Sequence, residues 1–160
     1  VYGLGCLAND RKAILKIKKI KGLNKNKPLL MLISDFKMLK KYCEVNKEQE
    51  KYLKKVWPGK VTAILTPAKA GKKDLKENNS LAVRLPKNEF LIKIIGKAGF
   101  PLVSTSLNRH GEKPLANVRN LEKHFKHLPD LAIDAGESKN TRPSKLVDIR
   151  DMEKIKIIRK

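Results

Sequence analysis

The stretch PLVSTSLNRHG, Pro101–Gly111, decides how the chain is read. Its apolar start, Leu102-Val103, reads as a buried strand, and Ser104, Thr105, Ser106 and Asn108 follow where that strand becomes a loop. Hydroxyls, an amide and exposed backbone N–H groups suit phosphate or carboxylate oxygens, and Gly111 lets a backbone come close. A Ser/Thr/Asn turn that bonds its own backbone is the alternative. In an open α/β sheet ligands gather beyond the carboxyl ends of strands, so the position suits a ligand, but the loop taken alone reads more readily as an ordinary turn.

Strand and helix signals alternate outward from this stretch. VYGL, from Val1, is a short strand running into Gly3 and Gly5. Asn9 or Asp10 can cap a helix whose Ala13, Ile14, Ile17 and Ile20 fall at helical spacing, and Gly22 ends it. LLMLI, Leu29–Ile33, is an uninterrupted apolar run, the pattern of a strand covered on both faces. Ser34 is expected to cap a short helix reaching Tyr42, and a further helix covers Lys47–Trp57. Pro58-Gly59 turns the chain into the strand VTAIL, Val61–Leu65, and 68–79 reads as a polar surface loop. SLAVRL and PLVSTS are strands flanking a helix, Asn88–Ala98, predicted to turn Phe90, Leu91, Ile94 and Ile95 inward. Asn117–Phe125 reads as a helix, LAIDA (131–135) and KLVDI (145–149) as strands, and IKIIR (155–159) closes the pattern. The predicted class is α/β, a mixed sheet covered by helices in a single domain.

The length of 160 residues, 41% of them apolar, is enough for one core without disulfides or metals. The formal net charge is +21, nearly all of it lysine, since Arg occurs only at 11, 84, 109, 119, 142, 150 and 159. Such a surface attracts polyanions with salt-dependent, sequence-blind affinity, so tRNA or double-stranded RNA is a candidate partner. Lysine spread evenly beside abundant Asn and Ile is equally what an AT-rich genome writes. Cys6 and Cys43 lack metal-like spacing and read as reduced thiols. No apolar run approaches the roughly 20 residues of a membrane helix, and no signal peptide opens the chain. A cytoplasmic protein that meets no membrane is the expectation.

Two further places could carry chemistry. In KGLNKNKPL, Lys21, Lys25 and Lys27 crowd a loop between a helix and a buried strand and could cradle phosphates; a solvated lysine loop is the alternative. Arg84, inside SLAVRLP, is bounded by apolar residues and must snorkel, pair with an acid or hold an anionic ligand. Gly3 and Gly5 complete no Walker or Rossmann fingerprint. His110, His124 and His127 are too sparse for a metal site.

Taken in order, VYGLG, K-G-x-x-x-x-K-P-L, WPG-x-V-T, S-L-A-V-R-x-P, P-L-V-S-T-S-x-N-x-x-G and P-S-x-L-V-D span the whole chain. This collinear set resembles the YrdC family of threonylcarbamoyl-AMP synthases. The resemblance implies a YrdC-like twisted α/β sheet with a positively charged concave face. It implies a reaction in which L-threonine, bicarbonate or CO2, and ATP with Mg2+ give threonylcarbamoyl-AMP and pyrophosphate. The product would pass to downstream tRNA threonylcarbamoyl-transfer proteins for threonylcarbamoyladenosine modification of tRNA. By the same resemblance Lys21, Ser106 and Asn108 are catalytic. Lys27, Ser80, Ser106, Ser144 and Arg159 would bind ATP, Arg84 and Ser104 would bind threonine, and no metal is held by the protein.

The chain also departs from the family pattern. Leu23 replaces the arginine of the family's K-x-R, a bidentate anion clamp that leucine does not copy. His110 stands where the family has serine, and Pro114 and Lys145 replace other hydroxyl residues. Residues 1–160 are expected to form a YrdC-like domain without the proline-threonine-rich segment that precedes VYGLG in the family. The competing expectation is a YrdC-like module that has lost catalysis and holds tRNA or double-stranded RNA on its basic face.

Overall fold

In the computed structural model, residues 1–23, 29–71, 79–138 and 143–160 are described. The strands are β1 (Gly3–Leu7), β2 (Leu30–Leu32), β3 (Cys43–Glu44), β4 (Val61–Pro67), β5 (Leu81–Arg84), β6 (Leu102–Ser106), β7 (Lys145–Asp148) and β8 (Lys156–Arg159). The helices are α1 (Arg11–Lys21), α2 (Phe36–Tyr42), α3 (Lys47–Val56), α4 (Glu89–Ala98) and α5 (Leu121–His124). One eight-stranded sheet runs β1-β6-β2-β5-β4-β7-β8, with β3 beside β4. The β2–β5 and β4–β7 pairs are parallel and the others antiparallel, so the sheet is mixed, as expected.

Alternation of side chains across the sheet separates a core from a site. Residues opposite one another in register share a face. Val103 opposes Met31, Met31 opposes Val83, Val83 opposes Ala63, and Ala63 opposes Val147. All of these are 0% exposed. They join Ile14, Ile17 and Ile20 of α1, Leu39 of α2 and Leu53 of α3 in one hydrophobic cluster. The residues between them face the other way and stay half-exposed: Ser104 and Ser106 of β6, Leu30 of β2, Ala82 and Arg84 of β5, and Leu146 of β7. The expectation of a β2 covered on both faces holds for Met31 on the core face and for Leu32 on the other, and fails at Leu30, which stays half-exposed.

Caps fix the helix ends. Asp10 accepts from the Ala13 N–H at the start of α1, and Gly22 ends it at φ 66°, in the left-handed region that glycine enters freely. The start of α2 differs from expectation, because Asp35 and not Ser34 is the cap. The Ser34 hydroxyl donates to Asp35 (2.7 Å), while the carboxylate accepts the Met38 N–H (2.7 Å) as the stronger acceptor. On α4, Asn88 caps and Ile95 is buried, but Phe90 is 55% exposed and not turned inward.

Two expected elements shrink. Only Leu121–His124 of the predicted 117–125 helix is helical. Asn117 bonds the Arg119 N–H through its side chain, and Asn120 sits at φ 55°, so local polar bonds displace the first turns. The predicted strand 131–135 pairs with no strand among the described residues. Asp134 folds an Asx turn onto the Gly136 N–H (2.8 Å), and the Tyr2 hydroxyl takes the Ala135 N–H (2.7 Å) and donates to the Gly136 carbonyl (2.6 Å). A side chain thus holds backbone groups that a ladder would have used.

Burial pushes the thiols of Cys6 and Cys43 up to about 12, so both stay protonated at pH 8, where a free cysteine is partly thiolate. Thiol titration with a disulfide reagent at pH 8 is expected to label neither residue quickly in the native protein and both in denaturant. Fast native labelling of Cys43, which is 2% exposed, would contradict this packing.

Candidate functional site

The half-exposed face of the sheet forms the floor of an open cavity of about 730 Å³, lined by residues from β1, β2, β5, β6 and β8 and by Pro143-Ser144. Of the residues singled out in the sequence, Arg84, Ser104, Ser106, Ser144 and Arg159 line it together. Gly3 opposes Ser106 and Gly5 opposes Ser104 across the antiparallel β1–β6 pair. A Cβ on Gly3 would sit 3.1 Å from the Thr105 carbonyl oxygen and 3.5 Å from Ser104 Oγ. These glycines keep the serine hydroxyls uncovered, a role that sequence reading gave to no residue.

The cationic groups are held by backbone oxygens. Arg84 Nε donates to the Gly59 carbonyl (2.7 Å), and among the described residues no carboxylate pairs with it. Burial lowers its pKa from the ordinary value, a sign that the guanidinium has lost water without gaining an acid. It stays charged in any case, and its terminal nitrogens are directed by that one anchor. Arg159 donates through Nε (3.0 Å) and Nη2 (2.8 Å) to the Ser144 carbonyl. Beneath it the Ser144 hydroxyl shares a 2.7 Å hydrogen bond with Thr62, which is 2% exposed. Thr62 is a support that the sequence reading missed. Its signal was a lone hydroxyl in the otherwise apolar strand VTAIL.

Lys21 and Asn108 lie under the cavity wall. Lys21 is 4% exposed, and its Nζ donates to the carbonyls of Ser106 (2.6 Å) and Asn108 (2.9 Å) and to Asn108 Oδ1 (2.8 Å). The Ser106 hydroxyl also donates to Asn108 Oδ1 (2.5 Å), and Asn108 Nδ2 donates to the carbonyls of Arg109 (2.7 Å) and Glu112 (2.8 Å). The sequence placed Lys21 on the ligand, whereas its ammonium reaches into the protein.

Ser80 begins the approach to β5 and by alternation shares the face of Ala82 and Arg84, roughly 13 Å further along at about 3.3 Å per residue. It does not line the cavity. Lys27 lies outside the described residues. Leu23, in place of the expected arginine, bonds the Lys18 carbonyl through its N–H (2.8 Å) and packs its side chain on the core. That is the apolar contact that follows a glycine helix end. His110 anchors the loop by its backbone, donating its N–H to the Lys21 carbonyl (2.9 Å). Among the described residues no cluster of three or more His, Cys, Asp or Glu could hold a metal ion, and the cavity wall carries no carboxylate.

A family model named Sua5/YciO/YrdC, with the description telomere recombination, matches residues 1–160. The chain belongs to this family. It is 32% identical over 157 residues to a putative threonylcarbamoyl-AMP synthase of Methanocaldococcus jannaschii, covering 98% of this chain and 74% of that protein. It is 34% identical over 155 residues to a threonylcarbamoyl-AMP synthase of Buchnera aphidicola, covering 93% of this chain and 87% of that protein. Among solved structures, Pyrococcus abyssi Sua5 complexed with L-threonine superposes with a TM-score of 0.82 at 29% identity, over 92% of this chain and 44% of that one. The YrdC-like sheet expected from the six motifs is thereby borne out, and the chain is a homologue of threonylcarbamoyl-AMP synthases. No helix among the described residues is long and apolar enough to cross a membrane.

Thr62→Val removes one hydroxyl of the buried pair and leaves Ser144 with a partner only in Arg159. A stability loss of about 1–3 kcal/mol is expected in urea unfolding. An unchanged midpoint would mean that the pair supports nothing.

Proposed function

We propose that this chain makes threonylcarbamoyl-AMP from L-threonine, bicarbonate or CO2, and ATP, releasing pyrophosphate, for threonylcarbamoyladenosine modification of tRNA. The single observation that carries the reading is the polar face itself: two guanidiniums and three serines converge on one cavity in a chain whose relatives carry that activity in their names. The threonine amine adds to CO2 and loses a proton, giving a carbamate. A carbamate oxygen then bonds to the α-phosphorus as the bond to the β-phosphate oxygen breaks, and pyrophosphate leaves. No covalent enzyme nucleophile is needed, since positioning and charge neutralisation carry the rate.

In this reading Arg84 and Ser104 take the threonine carboxylate, and Ser106, Ser144 and Arg159 lie along the nucleotide. Lys27 and Ser80 would extend the nucleotide site. With no arginine at position 23, anion binding falls to Arg84 and Arg159, with Lys60 and Lys87 at the rim of the cavity. Among the described residues the wall offers Mg2+ hydroxyls and cations and no carboxylate. The ion enters as part of the ATP complex. The adenylate is labile and would pass to tRNA threonylcarbamoyl-transfer proteins, in the cytoplasm where tRNA is modified.

The test is pyrophosphate release from ATP and bicarbonate with and without threonine. Release that depends on threonine is expected, and release indifferent to threonine sinks the proposal. Steep, salt-sensitive RNA binding in its place would favour a non-catalytic RNA-binding module. Arg84→Gln removes a charge-assisted contact worth about 1.5–3 kcal/mol. It is expected to raise the threonine KM about ten- to hundredfold with a smaller change in kcat.

A further inference from the structure

The three donors of the Lys21 ammonium are matched by three oxygens of the loop, the carbonyls of Ser106 and Asn108 and the side-chain Oδ1 of Asn108. This arrangement fixes the orientation of the Asn108 amide. Oδ1 faces Lys21 and Ser106, and Nδ2 faces the carbonyls of Arg109 and Glu112. A flipped amide would set its NH2 against the ammonium and leave Oδ1 facing two carbonyls. The Ser106 hydroxyl hydrogen is consequently committed to Asn108 Oδ1, at 2.5 Å. A serine hydroxyl has one hydrogen, so what Ser106 offers the cavity is lone pairs.

We infer that Ser106 is a hydrogen-bond acceptor that reads an N–H donor of the substrate, and that Lys21 and Asn108 are positioning residues that set this polarity. An acceptor repels phosphate and carboxylate oxygens. It fits the amino nitrogen of the amino acid or the exocyclic amine of adenine, two sources of one chemistry. The contrast lies two residues away: Ser104, on the same face, has its hydroxyl hydrogen committed to no described partner and can donate to an anion. The inference rests on the proposed substrates, but its test needs binding alone.

Dissociation constants would be measured for the full chain with ATP and with purine riboside triphosphate, which lacks the 6-amino group. The second pair is L-threonine and 3-hydroxybutyrate, which lacks the amine. Ser106→Ala is expected to weaken the amine-bearing member of one pair about three- to tenfold and to leave its counterpart unchanged. A loss in the ATP pair assigns adenine; a loss in the threonine pair assigns the amino nitrogen. Equal effects within both pairs, or weakened binding of pyrophosphate alone, overturn the inference. Asn108→Leu removes the acceptor, frees the Ser106 hydroxyl to rotate and is expected to abolish the discrimination, with Asn108→Leu/Ser106→Ala no weaker than Asn108→Leu. If Asn108→Leu does not fold, Asn108→Asp decides. Its carboxylate still accepts from Ser106, so discrimination should survive, and its loss overturns the assignment. Intact discrimination without threonine-dependent pyrophosphate release would sink the proposed reaction and leave the inference standing. Absence of binding to the unaltered chain would overturn both.

Discussion

The register of β1 on β6 is the constraint on which the site depends. With Gly3 opposite Ser106 and Gly5 opposite Ser104, no side chain of β1 stands opposite either serine. A slip of one residue would set Leu4 against a serine and turn Val103 out of the core. The same alternation runs on through β2, β5, β4 and β7, so the pleat that buries Met31, Val83, Ala63 and Val147 also presents Arg84 to the cavity. Core and site are two faces of one set of strands. Neither can shift without the other.

The end of α1 ties this sheet to its loop. Burying an ammonium is costly unless every hydrogen finds an acceptor, and Lys21 meets that condition at the turn after β6. Its place in the last turn of α1 adds a favourable interaction with the helix dipole, as do Lys18 and Lys19 in the same turn. Leu23 follows Gly22 and packs inward, so the end of α1 is anchored on both sides of the glycine. A residue packed into the core in this way is not available as an anion clamp. In the proposed site anion contacts fall to Arg84 and Arg159, each held by a backbone carbonyl and, among the described residues, by no acid. Holding a cation through a neutral oxygen leaves its charge uncancelled for a ligand.

Much of this was legible in the residues. Asp10 and Gly22 bounded α1, the apolar runs marked the strands, and Ser104, Ser106 and Arg84 stood out as polar residues on apolar strands. What escaped reading was of two kinds. Competition between near-equivalent polar groups decided Asp35 over Ser34, and Asx turns at Asn117 and Asp134 cut short a helix and a strand. Strand partners, and hence the supports Thr62 and Gly3, depend on tertiary pairing that no local pattern encodes. Lys21 illustrates both limits: among so many lysines nothing marked it as buried, and its acceptors are 85 or more residues away.

The cavity is chemically uneven, and the unevenness matches the proposed reaction better than its net charge does. A wall of cations alone would bind any polyanion, as the +21 surface does in principle. Here guanidiniums at Arg84 and Arg159 and a donor-capable hydroxyl at Ser104 stand beside a hydroxyl at Ser106 whose hydrogen is already spent. Such a face can grip anionic groups and, at one point, demand a donor. A substrate that carries both a carboxylate and an amine, or a phosphate chain and an adenine, satisfies it in a single orientation. Orientation is what attack of a carbamate on an α-phosphorus requires, since the chemistry asks for aligned oxygen and phosphorus and for little else from the protein.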